Sequence, residues 1–73
     1  MANTAELYEK IMEDGEFFMY DSYLECAIKR KRNGKCYLKH KGQKEKIVQY
    51  SNDTFCQIEM GGEFISKEEY EKY

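Results

Sequence analysis

The spacing of apolar residues predicts a helix near the start of the chain. Between residues 4 and 13, large apolar side chains recur three and four positions apart, which is the period of one helix face: Leu7, Tyr8, Ile11 and Met12. Asn3 suits the N-cap, with Glu6 three residues later as in a capping box. Gly15 suits the left-handed position that ends a helix. In so short a chain we expect this apolar stripe to belong to the core.

The next segment, residues 16–32, fits two structures. As a helix over 22–32 it begins with a capping box at Ser22-x-x-Glu25 and is rich in good helix formers. As a strand it turns back through a three-residue hairpin loop at 32–34. The hairpin would align the following cross-strand pairs: Ile28 with Leu38, and Cys26 with His40. Propensity favours the helix, and we predict a second helix over 22–32.

Residues 35–60 alternate between apolar and polar side chains, which predicts a three-stranded antiparallel meander. A two-residue turn at Gly42-Gln43 would place Leu38 opposite Ile47, and a turn over 51–54 would place Ile47 opposite Ile58. One sheet face would then be apolar and the other basic and aromatic. The alternative is a short helix over 53–60, capped by Asn52 and ended by Gly61-Gly62, which fits the flanks but disregards the alternation.

The C-terminal segment predicts a short helix, because Ser66-x-x-Glu69 forms a capping box. A helix this short is unstable alone, so Tyr70 is expected to dock on the rest of the protein. The chain is therefore expected to be a single small domain, 1–73, of the α+β class. In this prediction a three-stranded antiparallel meander, about 35–60, is packed by an N-terminal helix, a second helix and a short C-terminal helix.

Charge is distributed unevenly along the chain. Residues 1–28 sum to −6, residues 29–46 to +8 and residues 47–73 to −4. The central block contains nine of the twelve basic residues and only one acid, Glu45. Such a block raises the local positive potential although the net charge is −2. In the predicted register Lys39 and Lys46 are directly opposed, a repulsion that a bound anion would relieve.

Several classes of protein are not expected from this sequence. The N-terminus lacks the basic and apolar regions of a signal peptide, and the longest apolar run is too short to cross a membrane. Three cysteines without a CxxC motif do not predict a disulfide framework, so a cytoplasmic location is expected. No membrane partner is predicted.

The cysteines and the one histidine are weak candidates for chemistry. A Cys₃His metal site would need Cys26, Cys36, His40 and Cys56 around one point. Cys36 and His40 on one strand would stand roughly 13 Å apart, at about 3.3 Å per residue. Cys26 would neighbour His40 only in the hairpin alternative. We therefore predict no catalytic residue, no metal site and no cofactor.

The predicted function is that of a small non-enzymatic interaction module. It would bind a protein partner, or a second copy of itself as a homodimer, through the basic and aromatic sheet face. The alternative is a nucleic-acid-binding protein that uses the basic block 29–46 with aromatic rings to stack bases, and a Cys/His metal protein is a distant third. The residues predicted to bind a partner or nucleic acid are Lys29, Arg30, Lys31, Arg32, Lys35, Tyr37, Lys39, Lys41, Lys44, Lys46, Tyr50 and Phe55.

Overall fold

A computed structural model describes residues 4–73, within which the chain forms three helices and five strands. Their order is α1 (Thr4–Asp14), β1 (Glu16–Asp21), β2 (Cys26–Lys31), β3 (Cys36–His40), β4 (Lys46–Val48), α2 (Asp53–Gly61), β5 (Glu63–Phe64) and α3 (Lys67–Lys72). All strand pairs are antiparallel, in the spatial order β4-β3-β2-β1-β5. The predicted α+β class, with three helices on an antiparallel meander, is confirmed.

The sheet buries apolar side chains on both faces. The face that carries Met19, Ile28 and Leu38, called the major face here, is covered by α1 and α2 and holds the larger core. The opposite face carries Phe18 and Ala27 and is called the lysine face. It is partly covered by α3 through a smaller cluster in which Phe18, Ala27 and Tyr70 are buried.

Helix α1 ends as predicted but covers the core incompletely. Gly15 has a φ of +79° and its N–H donates to the Ile11 carbonyl at 3.1 Å. The predicted N-cap, Asn3, lies outside the described residues. Leu7 and Ile11 pack against the core, whereas Tyr8 and Met12 are exposed. The expectation that the whole apolar stripe belongs to the core is therefore only half correct.

The helix predicted over 22–32 is wrong, because this segment contains the central strand β2. The Asp21 carboxylate accepts the N–H groups of Tyr23 and Leu24, at 2.8 and 3.1 Å, and this turn leads into β2. Strand β2 pairs with β1 on one side and β3 on the other, so its backbone hydrogen bonds outweigh a local helix propensity. The register on β3 is the one that the hairpin alternative predicted: Ile28 with Leu38, and Cys26 with His40.

The predicted pairing of the next two strands is displaced by one residue. Gly42 has a φ of +78°, the Gln43 N–H donates to the His40 carbonyl, and the loop continues to residue 45. Leu38 consequently faces Lys46 rather than Ile47. Because side chains alternate along a strand, the displacement moves Ile47 to the lysine face, where it is 67% exposed.

The third predicted strand of the meander is also wrong, because α2 occupies residues 53–61. Asn52 caps this helix, and its side-chain oxygen accepts the Phe55 N–H at 2.9 Å. Phe55, Ile58 and Glu59 are buried on one side of the helix. Burial of a helix face on the sheet therefore decides the structure of this segment, although its apolar residues also alternate.

Helix α3 confirms the C-terminal prediction. Both hydrogen bonds of the Ser66–Glu69 capping box form, at 3.1 Å each. Tyr70 docks on the lysine face and is 3% exposed. The Tyr73 carbonyl accepts the N–H of Gly42 at 2.8 Å, which joins the end of the helix to the β3–β4 loop. Within residues 4–73, no helix has the length and apolarity needed to span a bilayer.

Candidate functional site

The lysine face contains a cleft between α3, the sheet and the β3–β4 loop. Its volume is about 580 Å³. Phe18 and Tyr70 contribute apolar surface to its lining. Five lysines border it against three glutamates, so the cleft is basic: Lys29, Lys31, Lys39, Lys44 and Lys67, with Glu16, Glu45 and Glu71.

Lys29 lines this cleft and is held by internal contacts. Its Nζ is 3.0 Å from Glu45 Oε1 and 3.1 Å from Glu45 Oε2. The same ammonium lies over the rings of Tyr37 and Tyr70, at 4.4 and 5.6 Å from their centroids. Cation–π contacts of this kind favour a fixed position for the side chain. Lys29 therefore forms a fixed part of the wall of the cleft, and Tyr37 helps to hold it there.

Lys39 is bound to the end of α3. Its Nζ donates to the carbonyl oxygens of Tyr70 and Glu71, at 2.8 and 2.9 Å. Carbonyls in the last turn of a helix lack partners within the helix, and a cation there also complements the helix dipole. Lys39 thus anchors α3 to the sheet.

Glu45 connects the β3–β4 loop to the buried Tyr70. The Tyr70 hydroxyl donates to Glu45 Oε1 at 2.9 Å. Burial, followed by this hydrogen bond, raises the pKa of Tyr70. Partial burial also acts to raise the pKa of Glu45, but the hydrogen bonds from Lys29 and Tyr70 outweigh it, and the pKa is lowered. Glu45 is therefore held ionised beneath the basic rim.

Because of this ion pair, the free energy of unfolding should depend on pH in the acid range. A carboxyl whose pKa is lowered on folding adds stability above its unfolded value, here 4.5, and that stability is lost as the pH falls through the folded pKa. We expect Glu45→Gln to reduce the loss of unfolding free energy below pH 4.5. Because the Glu45 side chain is 34% exposed, the effect should stay below about 1 kcal/mol.

The measurement is urea unfolding at a series of pH values between about 7 and 2.5, where the depressed carboxyl titrates. Glu63→Gln is the matched control, since Glu63 is exposed on the edge strand β5. An identical acid profile for wild type and Glu45→Gln would contradict the prediction.

Three lysines at the cleft keep their ammonium groups free of any partner among residues 4–73. Lys31 belongs to β2, Lys44 to the β3–β4 loop and Lys67 to the first turn of α3, and all three line the cleft. Ile47 adds an exposed apolar side chain to the same sheet face, opposite Tyr37. The carboxylates of Glu16 and Glu71 also line the cleft without a partner among these residues, so its accessible part carries a small excess of positive charge, with one apolar patch beside Tyr37 on the sheet.

The other predicted site residues are not part of this cleft. Arg30 lies on the major face, where Nη1 is 3.4 Å from Glu59 Oε2 and the guanidinium lies 4.4 Å from the centroid of the Tyr50 ring. The Tyr50 hydroxyl donates to Glu59 Oε1 at 2.8 Å, and this hydrogen bond and burial raise the pKa of Tyr50. Phe55 is completely buried. The single basic and aromatic face predicted from the sequence is therefore divided between two faces.

The four remaining predicted residues lie at the ends of strands. Arg32 donates to the carbonyls of Ile11 and Met12, at 3.3 and 2.8 Å, and closes the end of α1. Lys35 and Lys41 are exposed in the loops that flank β3. Lys46 is exposed and pairs with Leu38, so it lies on the face opposite to Lys39. The predicted opposition of Lys39 and Lys46 is wrong.

The predicted site residues omit several that shape the lysine face, among them Glu45, Ile47, Lys67 and Tyr70. One signal could have identified Glu45, which is the only acid in a block of nine bases and therefore has many potential ion-pair partners. Lys67 could not have been found in this way, because it is remote in sequence and reaches the cleft only through the docking of α3.

The cysteines are free thiols. Cys26 Sγ is 3.2 Å from His40 Nδ1 and 3.3 Å from the Leu24 carbonyl, to which it donates. Burial, followed by the nearby carboxylates of Asp21 and Glu25, raises the pKa of Cys26, so the thiol keeps its proton at neutral pH. Among residues 4–73, no group of three or more His, Cys, Asp and Glu side chains is arranged to hold a metal ion.

No family model matches the chain, and neither a curated protein nor a solved structure matches it. The function is therefore inferred from the geometry and charge of the cleft.

Proposed function

We propose that the protein is a small non-enzymatic interaction module that binds an acidic segment of a protein partner on the lysine face. The observation that supports this most directly is the placement of three unpartnered ammonium groups, those of Lys31, Lys44 and Lys67, around one cleft. Each comes from a different element of the fold, and the internal contacts of Lys29 and Lys39 hold those elements together.

An acidic peptide is the ligand class that this surface favours. Carboxylates would neutralise the free ammonium groups at the rim, where opposite charges accelerate association and select the partner. Apolar side chains of the same peptide would cover Ile47, which is exposed on the same sheet face as the cleft. A mixture of an apolar anchor and a charged rim is typical of protein interfaces.

Nucleic acid is the less favoured ligand because, among the described residues, the three aromatic side chains predicted to stack bases do not lie together on the lysine face. Of the predicted aromatic residues, Phe55 is buried and Tyr50 lies over Arg30 on the major face. The Tyr37 ring lies under the ammonium of Lys29. Proteins that bind single strands without sequence preference present aromatic rings on which successive bases stack.

We expect charge reversal at the cleft to weaken binding of an acidic peptide. The probe is a fluorescein-labelled peptide of alternating Glu and Leu, titrated by fluorescence anisotropy at about 50 and 200 mM salt. Lys44→Glu and Lys67→Glu should each raise the Kd about five- to tenfold, because an attractive charge becomes repulsive. Both side chains are exposed, so folding should be retained.

Lys35→Glu is the matched control, since it makes the same charge change at an exposed position outside the cleft. An equal loss of affinity in this control would mean that net charge alone attracts the peptide, and the proposal would fail. Tighter binding of a single-stranded oligonucleotide than of the peptide, weakened by Lys44→Glu and Lys67→Glu, would instead establish the nucleic-acid alternative.

A further inference from the structure

Strand β4 forms one edge of the sheet, and its outer side pairs with no other strand among residues 4–73. Residues 41–50 are all exposed except Val48, which is partly buried, so the described part of the chain leaves this edge uncovered. An uncovered edge strand offers its outward N–H and C=O groups to a further strand. Extended peptides bind to some proteins in this way, by adding a strand to the sheet.

The hydrogen bonds of β3 determine which backbone groups lie between β3 and β4. The Lys31 N–H donates to the Lys35 carbonyl, and the Lys41 N–H donates to the Glu25 carbonyl, both at 3.0 Å. Hydrogen-bonded pairs alternate with non-bonded pairs along an antiparallel ladder. The odd-numbered residues of β3 therefore bond to β2, and its even-numbered residues bond to β4.

This alternation leaves the backbone of Ile47 directed at the open edge. The even-numbered residues of β3 and their partners on β4 are Leu38 with Lys46, and Cys36 with Val48. Ile47 lies between these two bonded pairs, so its N–H and C=O point away from β3. Neither group has a hydrogen-bond partner within residues 4–73. The edge therefore presents one donor and one acceptor at the residue that is also its exposed apolar side chain.

The edge carries an unpaired lysine on each side of the sheet. Lys46 is on the side of the major face, as is Leu38 opposite it, whereas Lys44 lines the cleft on the lysine face. Neither ammonium group makes an ion pair or a hydrogen bond in the described part of the chain. The acid between them, Glu45, binds Lys29 instead. An added strand with acidic side chains would therefore meet a free lysine on either face.

A second copy of this chain is a poor occupant of the same edge. Pairing of β4 with β4 would bring Lys44 and Lys46 of both copies to one junction, and like charges on adjacent strands are destabilising. Natural sheets use lysines and short strands at their edges to prevent such pairing between identical chains. An acidic strand has the complementary charge, so the same lysines would attract it.

We propose that the acidic segment of the partner binds as an extended strand added antiparallel to β4, an inference that rests on the function proposed above. The segment residue opposite Ile47 would exchange two backbone hydrogen bonds with it. Directly opposed residues share a sheet face, so an apolar side chain at that position would cover Ile47, which is 67% exposed. The residues on either side of it would be acidic and would reach Lys46.

The test uses the labelled peptide of alternating Glu and Leu in two N-methylated forms, one with methyl groups on all leucine amides and one with methyl groups on all glutamate amides. When leucine lies opposite Ile47, the leucine amides face β4 and the glutamate amides face away from it. Methylation at leucine should raise the Kd at least about tenfold, because it removes hydrogen bonds to β4. Methylation at glutamate should change the Kd less than about twofold.

The two methylated peptides are matched controls for each other, since they have the same charge and composition. Both are titrated against the wild-type protein by fluorescence anisotropy. Equal effects of the two, or a larger effect at glutamate, would overturn the antiparallel pairing. If the unmodified peptide still binds and its Kd depends on Lys44 and Lys67, that result leaves the proposed function intact. Absence of binding by the unmodified peptide would overturn both proposals.

Ile47→Pro tests the same contact from the side of the protein. Proline removes the outward N–H and keeps the bonds between β3 and β4, a placement that edge strands tolerate. We expect the Kd of the unmodified peptide to rise about tenfold. Ile47→Thr is the control, because it keeps the N–H and loses the apolar side chain, and it should raise the Kd by only about threefold.

Equal losses of affinity in Ile47→Pro and Ile47→Thr would assign the effect to the side chain and overturn strand addition. A dimer in sedimentation that Ile47→Pro dissociates would assign the edge to a second copy, and would overturn the proposal also. Urea unfolding reports whether each variant folds. The methylated peptides use the wild-type protein, so they decide the question even if Ile47→Pro does not fold.

Discussion

Replacing Phe55 by alanine is expected to lower the free energy of unfolding by about 3–5 kcal/mol, as for other buried aromatic residues. The Phe55 side chain is completely buried and belongs to the larger core, where α2 meets the major face. A chain of 73 residues has a total stability of about 4–11 kcal/mol, at 0.05–0.15 kcal/mol per residue. The substitution should therefore remove a large fraction of the stability of the protein.

Thermal and urea unfolding, followed by far-UV circular dichroism, measure this effect. Tyr50→Ala is the control, since the Tyr50 ring packs 5.9 Å from the Phe55 ring but is half exposed. We expect a clearly smaller loss for Tyr50→Ala. A Phe55→Ala protein with wild-type stability and reduced peptide binding would restore the surface role that the sequence suggested for this residue.

Gly62→Ala is expected to destabilise the protein by about 1–3 kcal/mol, the usual cost of forcing extra volume into a packed site. Gly62 joins α2 to β5, and a Cβ atom there would lie 2.6 Å from the Tyr20 carbonyl oxygen and 2.7 Å from the Ile58 carbonyl oxygen. Both oxygens belong to the backbone, so relief requires α2 or β1 to move. The φ of Gly62 is −84°, which any residue adopts, so the cause is lack of space.

Gly61→Ala provides an adjacent control for this experiment. A Cβ atom at Gly61 would meet nothing within 4 Å, and the residue lies in the last turn of α2. Alanine is favoured over glycine in a helix by about 0.5–1 kcal/mol, so Gly61→Ala should be neutral or slightly stabilising. Urea midpoints of the two variants make the comparison, and equal destabilisation by both would show that close backbone contact is not the cause.

The parts of the fold that the sequence predicted correctly are those set by local hydrogen bonds. Ser66 and Glu69 carry both partners of a capping box within four residues, and Gly15 supplies the left-handed residue that ends α1. The hairpin at 32–34 is predicted as an alternative for the same reason, because its turn implies a single register, which pairs Ile28 with Leu38.

The incorrect assignments involve contacts between distant segments. Strand β2 consists of residues with good helix propensity, but its partners β1 and β3 supply hydrogen bonds on both sides. These hydrogen bonds cannot be predicted from the sequence of β2 alone. The β3–β4 register depends on Gly42, whose left-handed conformation lengthens the loop by enough to displace Ile47. The apolar residues of 53–60 fit the period of a strand and also that of a helix. The segment is a helix because this structure buries Phe55 in the core.

The same limit applies to the candidate site. The sequence located the basic block, but a strand alternates its side chains, so Lys29 and Lys31 lie on one face and Arg30 lies on the other. The helix predicted over 22–32 does not imply that these basic side chains lie on two opposite faces of a sheet. Lys67 and Tyr70 join the cleft only because α3 packs across the sheet, which depends on a buried cluster with Phe18 and Ala27.

The position of β5 beside β1 has a consequence for the order of folding. Strands β1 to β4 follow one another in the sheet as they do along the chain, so each can form a hairpin with its predecessor at a small entropic cost. Strand β5 pairs with β1 across more than half of the chain. The hairpins would therefore assemble first, and closure of β5 onto β1, with α2 brought down on the major face, would be the slow step that completes the core.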